Sequence, residues 1–149
     1  MNTTSLKHII RAILILLLQV LVLKRIGLST SWLWQYGDIF LYPVIVLLLP
    51  FRISRHYAIL IGFVIGLIID MFYDTIGVHA FALTATAYAR GLLLAYLEPR
   101  GGYQLSMSPT IFSMGLNWVM TFTVFSLLIH TFLYFTAEIF TRSEERRVG

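Results

Sequence analysis

Long apolar runs alternate with short polar breaks along the whole chain, the pattern of helices whose solvent is lipid. The first run, residues 6–23, is interrupted only by Gln19 and ends in Lys24-Arg25. Trp32, Trp34 and Tyr36 follow, residue types that favour the headgroup level. The second run, 39–51, is short: as a helix it reaches about 20 Å against a hydrocarbon core of roughly 30 Å. It either begins near Trp32 and bends at Pro43, or re-enters the face it came from. The third run is 57–73, the fourth 79–97, and the fifth extends to about Tyr134 from Ser108-Pro109, which reads as an N-cap followed by proline at the first helical position. The pattern predicts an all-α integral membrane protein with about five transmembrane helices in one domain, residues 1–141. A charged tail, 142–149, follows.

Two of these runs carry stripes of small residues. Ala58, Gly62, Gly66 and Asp70 recur every fourth position on the third, and so fall on one slowly drifting face. The fourth has Ala80, Thr84, Ala87, Gly91 and Ala95. Small faces let helices approach closely where burying apolar surface gives no driving force, so these two runs are expected to form a close-packed hairpin. Its helix-packing residues would be Gly62, Gly66, Gly77 and Gly91. Asp74-Thr75-Ile76-Gly77 is a tight turn, in which Gly77 can take a positive φ.

Composition narrows the class further. The chain is 58% hydrophobic and 12% charged, which leaves too little polar surface to cover a soluble domain of 149 residues. It has no cysteine, which excludes disulfides and thiolate metal sites. The net charge of +4 comes from basic residues set singly or in pairs at the ends of apolar runs, where they orient helices; nucleic acid is not an expected partner. Lys7 and Arg11 before an apolar stretch look like a signal sequence, but no small-residue cleavage site follows, so a retained first helix is expected. With the N-terminus inside, the cytoplasmic side receives Lys7, Arg11, Arg52, Arg55 and Arg100, and the outer side only Lys24 and Arg25. That bias favours a cytoplasmic N-terminus.

Polar residues at membrane depth are functional candidates by default. Counting rise per residue, Asp70 lies about 5 Å from the outer end of its helix and Arg90 about 16 Å down the next. A direct ion pair between them is therefore not expected. Arg90 matches the depth of Asn117, with Gln19 near the midplane as an interhelical polar contact. Asp70, Asp74, His79 and His130 collect near the outer face. Two readings of this outer group stay open: the two carboxylates cap the turn and hold the hairpin shut, or the group docks a partner's transmembrane or juxtamembrane segment. A metal site of His79, His130 and the carboxylates lacks any ligand pair at a diagnostic spacing. Catalysis is not expected. There is no nucleophile elbow, no His-Glu-x-x-His and no phosphate-cradling loop, and Ser126 and His130 have no third group to orient the base. No cofactor is implied.

The stretch Gly66-Leu67-Ile68-Ile69-Asp70-Met71-Phe72-Tyr73-Asp74-Thr75-Ile76-Gly77-Val78-His79-Ala80 resembles the MreD family of rod-shape-determining membrane proteins. The likeness is to the Gly-x-x-x-Asp helix end, the glycine-bearing turn and the second small-residue helix. Chain length and the Pro-interrupted segment at 42–51 extend it over most of the chain, and it looks closest to members from Bacteroidetes-type bacteria. The resemblance implies a non-enzymatic component of the bacterial inner membrane that binds MreC. It would stand with MreB, RodA and a class B penicillin-binding protein in lateral peptidoglycan synthesis and cell shape. It also implies a fold similar to the substrate-binding subunits of energy-coupling-factor transporters, and hence an alternative function in binding a vitamin-type small molecule, for which Gln19, Arg90 and Asn117 are the pocket candidates. The family usually closes with a sixth crossing, which is missing here. The final residues, 142–149, resemble translated sequencing adapter, so authentic sequence is expected to end near Thr141 and to continue as a further apolar segment.

Overall fold

The computed structural model describes residues 3–23 and 41–148, and every described element is helical. α1 (Thr3–Leu17) passes into a π-helical segment (Leu18–Leu23). The short α2 is Pro43–Leu47; α3 is Arg55–Tyr73, α4 Val78–Tyr96, α5 Ile111–Met114 and α6 Leu116–Val148. The chain divides into two units, Met1–Ile45 and Val46–Gly149.

Among the described residues three helices are long and apolar enough to cross a membrane: Arg55–Tyr73, Val78–Tyr96 and the Leu116–Glu144 part of α6. They expose what a soluble protein would bury. Leu60, Phe63, Val64, Met71 and Phe72 on α3, and Leu128, Phe132 and Phe135 on α6, all face outward, as side chains whose solvent is lipid do. This is a membrane protein.

Of the five expected runs, the third, fourth and fifth supply these helices, and the first, second and fifth differ in detail from what the sequence led one to expect. The first run is helical, but it is wound in two ways, α to Leu17 and π from Leu18. Among the described residues the second run contains the five-residue α2, far too short to span. Leu41 and Tyr42 are not helical, so no described helix runs through Pro43; the proline stands at the first position of α2, where its missing N–H costs nothing. The aromatic stretch with Trp32, Trp34 and Tyr36, and Lys24, Arg25 and Asp38, expected on the outer side, lie outside the described residues. The fifth run does not start at Pro109. Thr110 precedes the one-turn α5, and Gly115, at φ +82°, breaks the helix before α6 begins. α6 then continues past Tyr134 to Val148.

The second unit is organised around α4, which packs on α3 through one face and on α6 through another. The stripe on α3 is buried along its length, Ala58, Gly62, Gly66 and Asp70 all being enclosed. A Cβ built on Gly66 would stand 2.4 Å from Ala80 Cα, and one on Gly62 3.0 Å from the Leu83 carbonyl oxygen. The backbones of α3 and α4 are therefore in contact, which only glycine permits. Gly77 plays another part than the helix packing expected of it. A Cβ on Gly77 would meet nothing; its φ of +76° is what needs glycine. Gly91 receives the side chain of Arg55.

Candidate functional site

The turn between α3 and α4 is built around one carboxylate. Asp70 lies in the last turn of α3 and is buried. Its Oδ1 accepts hydrogen bonds from Thr75 Oγ1 at 2.5 Å, His79 N at 3.0 Å and His79 Nδ1 at 3.1 Å. Its Oδ2 accepts from Ala80 N at 2.9 Å. The amides of His79 and Ala80 belong to the first turn of α4, where backbone donors lack helical partners. The N-cap residue of α4 is Gly77, which has no side chain to serve them. Asp70 supplies the missing cap from the neighbouring helix, and its charge also complements the positive end of the α4 dipole. Because a carboxylate can only accept, His79 carries its proton on Nδ1. The imidazole then packs between Tyr73 and Tyr134, with ring centroids 5.1 Å away on each side, and so links the turn to α6.

Asp74 differs from the expectation that both carboxylates cap the turn. It takes the left-handed conformation at φ 55°, and its backbone N–H bonds the Asp70 carbonyl, closing α3. Its side chain is exposed and makes no hydrogen bond among the described residues. The backbone of Asp74 shapes the turn while its carboxylate points to solvent.

The remaining candidates are dispersed. His130 is buried on α6, with Nδ1 2.9 Å from Thr86 Oγ1 on α4. The Thr86 hydroxyl donates to Ala82 O at 2.7 Å, so His130 is the donor in the shared bond. Ser126, one turn earlier, is buried with no hydrogen bond among the described residues and is not coupled to His130. Arg90 is buried and not paired with Asp70; its Nη2 donates to the Leu49 carbonyl at 2.5 Å, fastening the segment after α2 to α4. The matched depth of Arg90 and Asn117 produces no joint site, since Asn117 is exposed at the start of α6. In the first unit, Gln19 accepts the Leu41 amide at 2.8 Å through its side-chain oxygen. Among the described residues no group of three or more His, Asp or Glu side chains is placed to hold a metal ion.

The sequence did not point to a second cluster at the other end of α4. Tyr103 stacks on Phe51 at 4.4 Å, and Trp118 meets both rings edge-on. Tyr103 Oη donates to Leu94 O at 2.7 Å and Trp118 Nε1 to Leu97 O at 2.8 Å. These are carbonyls that the end of α4 leaves open. Burial first, and then the nearby charge of Glu98, push the Tyr103 hydroxyl pKa up to about 12, against the opposing effect of Trp118.

Comparison with protein-family models, curated proteins and solved structures finds no match. The functional reading therefore rests on the residues themselves.

Proposed function

We propose that this chain is a non-enzymatic scaffold of the bacterial inner membrane, of the kind that holds an MreC-like partner in the cell-elongation complex, with its N-terminus in the cytoplasm. The observation that carries the reading is the turn at residues 70–80. Its buried carboxylate is fully used in closing the hairpin, and the closed turn holds a small rim outward: the free Asp74 carboxylate, Met71 at 80% exposure and Ile76 at 86%. A fixed turn that shows one charge flanked by apolar side chains suits a partner's juxtamembrane segment, because little order is lost on binding. In this reading Asp70 positions the turn and Asp74 meets the partner.

The vitamin-binding alternative draws less support. Gln19 and Arg90 are each occupied by a backbone group, and Asn117 is exposed.

Co-purification with the MreC-like protein of the same genome tests the proposal. The double change Asp74→Lys with Ile76→Ser should leave the melting temperature within about 2 °C of the parent, as surface changes do. It should reduce recovery of the partner about tenfold, the loss expected for roughly 1.4 kcal/mol of contact. Undiminished recovery with this variant would remove the rim from the account, and failure of the parent chain to capture the partner would remove the scaffold reading.

A further inference from the structure

A groove of about 570 Å³ runs along the outside of the α3–α4 hairpin. One wall is Ile59, Phe63 and Leu67 on α3; the other includes Phe81, Thr84 and Tyr88 on α4. The lining is almost wholly apolar. Each wall follows a helical stripe, and one further turn along each stripe arrives at Arg55 on α3 and Gly91 on α4. These two residues touch. A Cβ on Gly91 would lie 2.9 Å from Arg55 Nε, and the Arg55 guanidinium sits 5.3 Å from the centre of the Tyr88 ring. The cation therefore lies beside the Tyr88 end of the groove, in a notch that exists because residue 91 has no side chain.

Within the fold the cation is met by the Tyr88 ring and the space at Gly91, and neither neutralises its charge. Arg55 is exposed and forms no ion pair with a carboxylate among the described residues. It stands in the first turn of α3, where the helix dipole disfavours positive charge. Orientation by basic residues explains why a cation stands at this end of the hairpin, and the Tyr88 ring holds it across Gly91, next to the groove that Tyr88 lines. Exposed Arg52 adds positive charge three positions away.

We infer that the groove is a binding site for an anionic phospholipid, with the headgroup phosphate on Arg55 and one acyl chain laid between α3 and α4. The dimensions suit that occupant. From Arg55 to Leu67 the helix rises about 18 Å, close to the roughly 15 Å depth of one leaflet of a 30 Å core. Inside a bilayer an apolar groove gains no hydrophobic drive, so the chain contributes shape-matched contact. The guanidinium's planar fork forms charge-assisted, bidentate bonds to the phosphate, and selection comes from net charge, because the choline cation of a zwitterionic headgroup offsets the attraction that an anionic lipid keeps whole. The inference rests on the membrane assignment alone and is independent of any protein partner.

The test uses the full chain in detergent, titrated with phosphatidylglycerol, with phosphatidylcholine and with glycerol 1-phosphate, read by native mass spectrometry and by melting temperature. One phosphatidylglycerol should bind per chain, about tenfold more tightly than phosphatidylcholine, and glycerol 1-phosphate should give no shift. Arg55→Gln, an exposed change, should abolish the preference between the two lipids. Ala85→Leu, which fills the half-exposed floor of the groove, should weaken both lipids alike. Equal preference in the parent and Arg55→Gln, with both folded, overturns the inference. So does retained binding by Ala85→Leu, or a response to glycerol 1-phosphate alone. A chain dimer that Ala85→Leu dissolves would instead assign the groove to a second copy and would equally overturn it.

Discussion

The two ends of α4 solve the same problem with opposite chemistry. At its N-terminus the open amides are gathered by one buried carboxylate, Asp70, reaching over from α3. At its C-terminus the open carbonyls are met by two neutral aromatic donors, Tyr103, which stacks on Phe51, and Trp118, which meets Phe51 edge-on. Both are answers to the rule that backbone polar groups near lipid must find partners within the protein. The carboxylate end is short-range and charged. The aromatic end is neutral, made of residue types that suit the membrane interface, and although Tyr103 reaches back only nine positions to Leu94, the Trp118 and Phe51 contacts that complete it are long-range.

This difference decides what could be read from the sequence. Every partner of Asp70 lies within ten positions of it, so a turn with an acidic residue at one helix end and glycine at the next helix start was legible as a unit. The glycine stripe was legible too, because Gly62 and Gly66 fall on one face of one helix. The aromatic end was not. Phe51, Leu94, Leu97, Tyr103 and Trp118 are separated by breaks whose geometry depends on Pro50, Pro99 and the Gly115 kink. Arg90 shows the same limit: helix depth excluded Asp70 as its partner, but the acceptor is the backbone of Leu49, 41 positions away. A carbonyl oxygen has no sequence signal. Asp74 and Asp70 look alike in sequence, and only the left-handed backbone at Asp74 separates the residue that caps from the one that is displayed.

The sharpest way to break the carboxylate end is to separate the helices that bring it together. Even a methyl group at Gly66 meets the backbone of Ala80 at 2.4 Å, and backbone cannot swing aside. Gly66→Leu should cost about 3 kcal/mol or more and lower folded yield in detergent, with Gly66→Ala already accounting for most of the loss. Yield and melting behaviour like the parent's for both would mean that the α3–α4 contact does not carry the hairpin.

Asp70→Asn attacks the cap while keeping its shape. The new amide nitrogen must face a donor, either Ala80 N or the Thr75 and His79 group, and the charge opposite the helix dipole is gone. About 2 kcal/mol of stability should be lost, and partner recovery should fall only in proportion to folded protein. A variant that folds as well as the parent yet captures no partner would move Asp70 from the cap to the docking rim, and the contrast with Asp74 would dissolve.

The smallest effect belongs to the aromatic end, where no charge is at stake below alkaline pH. Tyr103→Phe keeps the stacking on Phe51 and removes only the hydrogen bond to Leu94 O, so it should cost about 1 kcal/mol at pH 7. Its signature lies in the pH dependence. The hydroxyl pKa rises from an ordinary value of 10.0 to about 12 on folding, so the folded state favours the protonated form. That contribution is complete below pH 10 and is lost as pH climbs towards 12. The parent should therefore lose stability over this window relative to Tyr103→Phe, and the two melting curves should converge as the tyrosine ionises. Lysines titrate in the same range in both proteins and cancel in the difference. Parallel curves from pH 9 to 12 would show that the Tyr103 hydroxyl is no more enclosed in the folded protein than in the unfolded chain, and that stacking alone closes this end of α4.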